Sequence, residues 1–389
     1  MVRPSGRGAR RLRLAGVVAA GAALALGVMW LVFPDRVRVA SSVGVPGLPP
    51  PPSEVWPEAV HELPLRLPDG NPYQPILFLD RDRMLIKVEA GLLASYDLRT
   101  GEVKDLVRLR KEIRASGFAV GSGAIVWWTS RRDRDGQVVD IWTAPITGGK
   151  AAVRASARPD GLVKDPRLQV LSSALVSMDS FSGLSVAGGN IYWSSVNAGL
   201  WRLPLAGGAP PAPVPGTAGY HLLSYPWMGR PDEWGRPLPP GQATPGDTNR
   251  PVFGDLLNIE TGETSTAVIP PDTHSWTCGL TRCMGPLPGN SGENGAAQSR
   301  DGSAQRRLPS METQNAAIAR DRFSILRVYG TGHRVEAVAL VDLKTGEAGL
   351  VGRRGVGDGL ARGQLFHHTD LYSYRLNDKM IIVDLRAIP

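Results

Sequence analysis

Cys278 and Cys283 are the only two cysteines among 389 residues. Five positions apart, they suit a disulfide that closes a short loop in an oxidising compartment, where an even count of thiols pairs off. Two free thiols are the alternative. A metal reading would recruit His274, but a structural zinc takes four ligands and no fourth is in view. His367, His368 and Asp370 form the other cluster. Adjacent strand residues point to opposite faces, so both imidazoles do not reach one ion from an extended segment. Asp133-Arg134-Asp135-Gly136 has part of a calcium-loop spacing without the later glutamate, and a hairpin turn accounts for it. Gly183-Leu184-Ser185-Val186-Ala187 misses the last glycine of a nucleophile elbow. No phosphate-binding glycine loop and no His-Glu-x-x-His occurs. The sequence nominates no catalytic residue, no cofactor and no metal.

The elements that would hold such residues are short strands. Ile191-Tyr192-Trp193 favours a strand, Asn197-Ala198-Gly199 a turn, and Leu200 to Leu205 the returning arm. Ile125 to Ser130, a turn through Arg134-Asp135-Gly136, and Ile141 to Ile146 repeat the design. Trp142, Pro145 and Gly148-Gly149 have the spacing of Trp201, Pro204 and Gly207-Gly208. A second unit recurs three times: Asp97-Leu98-Arg99-Thr100-Gly101-Glu102, Asn258 to Glu263, and Asp342 to Glu347. Each reads as a strand end, a tight turn with glycine at positive φ, and a new strand.

These units share one register. Asp97 to Asn258 is 161 positions and Asn258 to Asp342 is 84, near four and two multiples of a blade-sized period. Pro145 and Pro204 fall level with Asp97, and Asp384 follows Asp342 by 42. One mark is missing near residue 300. A four-stranded blade cannot bury both faces alone, so such repeats stack around an axis. The expectation is an all-β propeller of six or seven four-stranded blades over 59–389, six because 285–310 has few apolar residues. The strand Met380 to Leu385 lacks a fourth partner, and the alternating segment 60–67 can supply it and close the ring.

Tyr192-Trp193-Ser194-Ser195 resembles the repeat of YWTD-type six-bladed propellers, and the Asp-Leu-x-Thr-Gly-Glu units resemble TolB-like repeats of bacterial envelope proteins. The YWTD aspartate is absent, and the usual Ser-Pro-Asp-Gly turn survives only as Ser299-Arg300-Asp301-Gly302. The resemblance implies the architecture and carries over no binding residue. His221, His274 and His368 each fall near the start of a blade, where strands converge on the channel; polar residues at strand ends are the plainer reading.

The N-terminus sets the expected compartment. Arg3, Arg7, Arg10, Arg11 and Arg13 form a basic tail, 1–13, before an uncharged run from Leu14 to Phe33. Twenty residues at about 1.5 Å each span a bilayer core of about 30 Å. The basic flank keeps the N-terminus cytoplasmic and places the rest outside the cell membrane. Cleavage near Val39-Ala40-Ser41-Ser42, giving a secreted protein, is the alternative. Residues 34–58, with Pro46, Pro49 to Pro52 and Pro57, read as an extended stalk. The net charge of +8 is split evenly between 1–58 and the remainder, without a basic run, which argues against nucleic acid as a partner.

The functional expectation is a membrane-anchored extracytoplasmic propeller that binds or scaffolds a protein or other component of the bacterial cell envelope. The alternative is an envelope hydrolase or lyase with a loop-built site at the channel mouth. Two stretches, 151–178 and 229–250, are longer than a blade turn needs. The second supplies the partner-binding candidates: Trp227 and Trp234 as aromatic anchors, and Arg230 and Arg236, with Arg250, for carboxylates or phosphates.

Overall fold

The structure is a computed structural model. It describes residues 47–389 apart from 90, 110–114, 135, 158–183, 196–198, 231–250, 272, 274–275, 288–294, 309–310, 313–316, 331–333, 357–364 and 366–368. The basic tail and the uncharged run 14–33 lie outside the described residues. Among the described residues no helix is long and apolar enough to cross a membrane.

Seven antiparallel sheets follow one another along the chain. Blade one is Tyr73–Phe78, Arg83–Val88, Leu92–Asp97 and Val103–Arg108. Blade two is Ala115–Gly121, Ala124–Asp133, Gly136–Pro145 and Ala152–Ala157. Blade three is Ser185–Ala187, Asn190–Ser195, Gly199–Pro204 and Ala212–Pro213. Blade four is His221–Ser224, Trp227–Gly229, Asp255–Asn258 and Thr264–Thr266. Blade five is Thr277–Cys278, Arg282–Pro286, Gly295–Ser299 and Arg306–Leu308. Blade six is Met311–Glu312, Phe323–Tyr329, Val335–Asp342 and Ala348–Arg353. Blade seven shows Leu371–Leu376, Lys379–Asp384 and, from the other end of the chain, Val60–Pro64. The fold is a seven-bladed propeller, and the six-bladed form that the YWTD resemblance carries is not adopted.

The repeat marks have a structural meaning. Asp97, Pro145, Pro204, Asn258, Asp342 and Asp384 each end the third strand of a blade, and Ser299 ends the third strand of blade five. Ser299 is the mark missing from the sequence register. After every one of them, the next residue's amide donates to the carbonyl just before the second strand. The pairs are Leu98 to Asp82, Ile146 to Gly123, Leu205 to Gly189, Ile259 to Pro226, Arg300 to Thr281, Leu343 to Arg322 and Leu385 to Asp370. This bond ties the first turn of a blade to its last turn on one rim. By the same bond, Leu371–Leu376 takes the place that the second strand holds in the other blades. Where the mark is Asp or Asn, its side chain accepts the amide two positions on, and Asp97 also that three on, from Arg99 and Thr100 at 2.9 Å. Asn258 does the same from Glu260 and Thr261. The glycines at 101, 262 and 346 take φ of 73°, 73° and 81°, which a side chain would resist.

Ring closure follows the expected register. Val60 pairs with Val383 and Pro64 with Lys379, antiparallel. Arg386 then spans the seam: it forks onto Asp384 and donates to the carbonyls of Asp80 and Arg81 in blade one. Its guanidinium also lies 3.8 Å from the Phe78 ring centroid.

Two expectations need correction. Residues within 285–310 supply the third and fourth strands of a four-stranded blade, Thr277 to Leu308, instead of a poor one. Gly295 to Ala297 lie buried, with Met284, Leu308 and a fully buried Trp276 around them. Small side chains give close sheet approach here, and a Cβ on Gly285 would meet the Trp276 ring at 2.3 Å. The second concerns the stalk 34–58. Its last part is not an extended spacer. Pro52–Val55 forms a helical turn, Trp56 and Ala59 enter the core with Phe323, Leu340 and Val351, and Leu350 donates its amide to Pro50. A tryptophan amid the prolines has enough apolar surface to hold the segment on blade six.

Candidate functional site

The two rims are built differently. One carries the first-to-second and third-to-fourth turns, sealed by the seven repeated bonds above. Further ties cross between blades there. Arg322, paired with Asp342 of its own blade at 2.5 Å, donates to the Ile388 and Pro389 carbonyls, Arg320 pairs with Asp370, and Thr281 donates to Asp321. Arg320 and Asp321 both take positive φ, at 50° and 56°. Their strain is offset by reaching both neighbouring blades at once. Burial pushes the Asp321 carboxyl up, against the lowering effect of the Thr281 hydrogen bonds. Asp342 is also buried, but Arg322, the Lys344 amide and the Thr345 hydroxyl outweigh that and hold its carboxyl below the usual range.

The opposite rim carries the second-to-third turns and the connections between blades. Both long insertions leave from it. Residues 158–184 join blade two to blade three, and 230–254 join the second and third strands of blade four.

The predicted partner residues separate on this frame. Trp227 opens the second strand of blade four beside the Tyr225-Pro226 turn, half-buried, at the sealed rim. Arg230 stands at the base of the insertion on the open rim. It is partly spent there: its guanidinium is 3.8 Å from Asp255 and 4.9 Å from the Tyr220 ring centroid. Trp234, Arg236 and Arg250 lie outside the described residues. Trp227 and Arg230 therefore belong to opposite ends of one short strand, which the sequence alone cannot show.

The channel-mouth histidines are not brought together among the described residues. His221 begins the first strand of blade four and is buried. Its Nδ1 lies 3.1 Å from the Ser194 hydroxyl, which also accepts the Leu222 amide, and its ring lies near Phe253. That binds blade three to blade four. His274, His367 and His368 lie outside the described residues. Cys278 and Cys283 form a disulfide directly across the first two strands of blade five, with Cα atoms 4.0 Å apart and both side chains buried. No group of three or more metal-ligating side chains gathers among the described residues.

No protein family matches the sequence, and no curated protein is significantly similar to it. Solved structures are similar to it at low identity. An uncharacterized protein of Listeria monocytogenes is 10% identical over 82% of this chain and 93% of that one, with a TM-score of 0.44. TolB from Acinetobacter baumannii is 10% identical over 75% of this chain and 62% of that one, with a TM-score of 0.34. An oligogalacturonate lyase from Vibrio parahaemolyticus is 8% identical over 80% and 76%, with a TM-score of 0.29. The propeller assignment itself rests on the seven sheets of this chain.

Proposed function

We propose that this chain is an extracytoplasmic binding or scaffold propeller, anchored by residues 14–33, whose partner docks on the open rim. The observation that carries the reading is the inequality of the rims. One is closed by the same backbone bond in every blade, and the other releases both long connections, 158–184 and 230–254. Long connections on a rigid ring are where recognition resides when strands serve packing. The Arg-rich tail before an uncharged run supports the tether, and the Cys278–Cys283 disulfide suits an oxidising exterior. An enzymatic reading at the channel mouth draws no support from His221, which is held in interblade packing. The fold itself is compatible with both kinds of activity.

The test replaces 231–249 with a short Gly-Ser linker in the full-length protein. Unchanged thermal unfolding with loss of the crosslinked partner in intact cells is the expected result. Retention of the same crosslinked adduct removes the insertion from the docking surface. Protease added to intact cells checks the tether separately: it is expected to digest the propeller while the N-terminus stays protected. A mature chain beginning near Ser41 ends the anchor proposal.

A further inference from the structure

The geometry points to a second site, on the sealed rim, that takes a small oxyanion such as a carboxylate or phosphate group. A cleft of about 400 Å³ opens there between the outer strand of blade four and two turns of blade five. Ser265, Thr281, Arg282, Ser299, Arg300 and Asp301 are among its lining residues. The ligand class follows from which hydrogen-bonding groups are already used.

The acidic groups around the cleft are occupied. Asp301 turns onto its own loop, accepting the Ser303 amide at 2.9 Å and hydroxyl at 2.6 Å. Asp255 accepts the Thr266 hydroxyl at 2.9 Å and faces Arg230. Asp321 accepts the amide and hydroxyl of Thr281. On the basic side, Arg300 is 6% exposed. It donates to the carbonyls of Gly279 and Phe253 at 2.7 and 3.0 Å, and to that of Gly254. Carbonyl oxygens hold the guanidinium in place but do not cancel its charge, and its Nε–H has no partner. Burial pulls its pKa down to about 10, with Asp321 and Asp255 acting the other way. The Arg282 guanidinium and the Ser265 and Ser299 hydroxyls make no side-chain hydrogen bond or ion pair with any described residue. The unused capacity of the cleft is therefore one half-buried arginine fork and two hydroxyls beside a buried positive charge. Donors of that kind match an acceptor with several oxygens, and an arginine fork engages such a group through two parallel bonds.

The cleft adjoins the base of the docking insertion, since Arg300 donates to the Phe253 and Gly254 carbonyls. The two readings have separate readouts: anion titration tests the cleft and crosslinking of a partner tests the insertion, so the failure of one is distinguishable from the failure of the other. The test is calorimetric titration of the full-length protein with sodium phosphate, sodium sulfate and sodium acetate, at ionic strength held constant with sodium chloride. Saturable binding of at least one is expected, phosphate and sulfate alone assigning a tetrahedral anion and acetate a carboxylate. Arg282→Ala is expected to weaken it roughly tenfold, about 1.4 kcal/mol, with unchanged thermal unfolding and partial recovery in Arg282→Lys. The double variant Ser265→Ala/Ser299→Ala serves if Arg282→Ala does not fold. Absence of saturable binding, or unchanged affinity in a folded variant, overturns the assignment.

Discussion

Two arginine–aspartate pairs fix the turns of the closing blades, and each makes a separate prediction. Arg386 bridges blade seven to blade one while covering the Phe78 ring, and Asp384 behind it is nearly buried. Arg386→Ala removes charged hydrogen bonds worth about 2 kcal/mol, read as a lower urea midpoint with an unchanged slope. Asp342 is wholly buried against Arg322 and ionises more readily than a free carboxyl. A depressed folded pKa means stability that is present above the unfolded value, about 4. It drains away as pH falls through the lower folded value. Asp342→Asn is expected to cost about 3 kcal/mol near neutral pH, because it leaves a buried guanidinium without its counter-charge. The gap from the parent protein should narrow as the pH is lowered. Thermal melts across the acid range check this, and a constant gap contradicts it.

At the level of the element, turn chemistry was the readable part. Asp97, Asn258 and Asp342 each need a side-chain acceptor and a glycine four positions on, so the same letters recur. Pro145, Pro204 and Ser299 reach the same backbone bond without that acceptor, which is why the register showed the two prolines only through neighbouring features and missed Ser299. Blade five was the hardest to see. Its core uses alanine and glycine where a strand signal asks for β-branched or aromatic residues, with bulk supplied by Trp276 from outside the sheet. Gly285→Ala places a methyl inside that indole and is expected to cost about 2 kcal/mol. Reducing the disulfide across the same strands is expected to cost about 2 kcal/mol. Both are measured by chemical unfolding. The site was less legible than the fold. Nothing local says that Trp227 and Arg230 point to different rims, or that a strand at 265 and two turns at 281 and 299 enclose one cleft.

On the scale of the whole molecule, the ring depends on residues that read as a tether. The segment 48–59 packs along blade six and 60–64 completes blade seven. Deleting 47–64 should expose the edge of Lys379–Asp384 and the apolar face under Trp56, giving oligomers by size exclusion with a lower unfolding temperature. A monomeric, equally stable product would show that closure is dispensable. Deleting only 1–33 leaves this seam intact and is expected to preserve the ring.

The same seam sets an order of events on the ribosome. The strand 60–64 is made before the blades, yet its partner among the described residues, Lys379–Asp384, emerges only after six of them. Until that strand emerges the segment lacks this pairing, and the growing stack of blades has an open end. Bringing the ends of so long a chain together costs entropy before any contact rewards it, so closure is the slow, late step of folding. A nascent chain in that condition is a substrate for holding chaperones until the hairpin Leu371–Asp384 arrives.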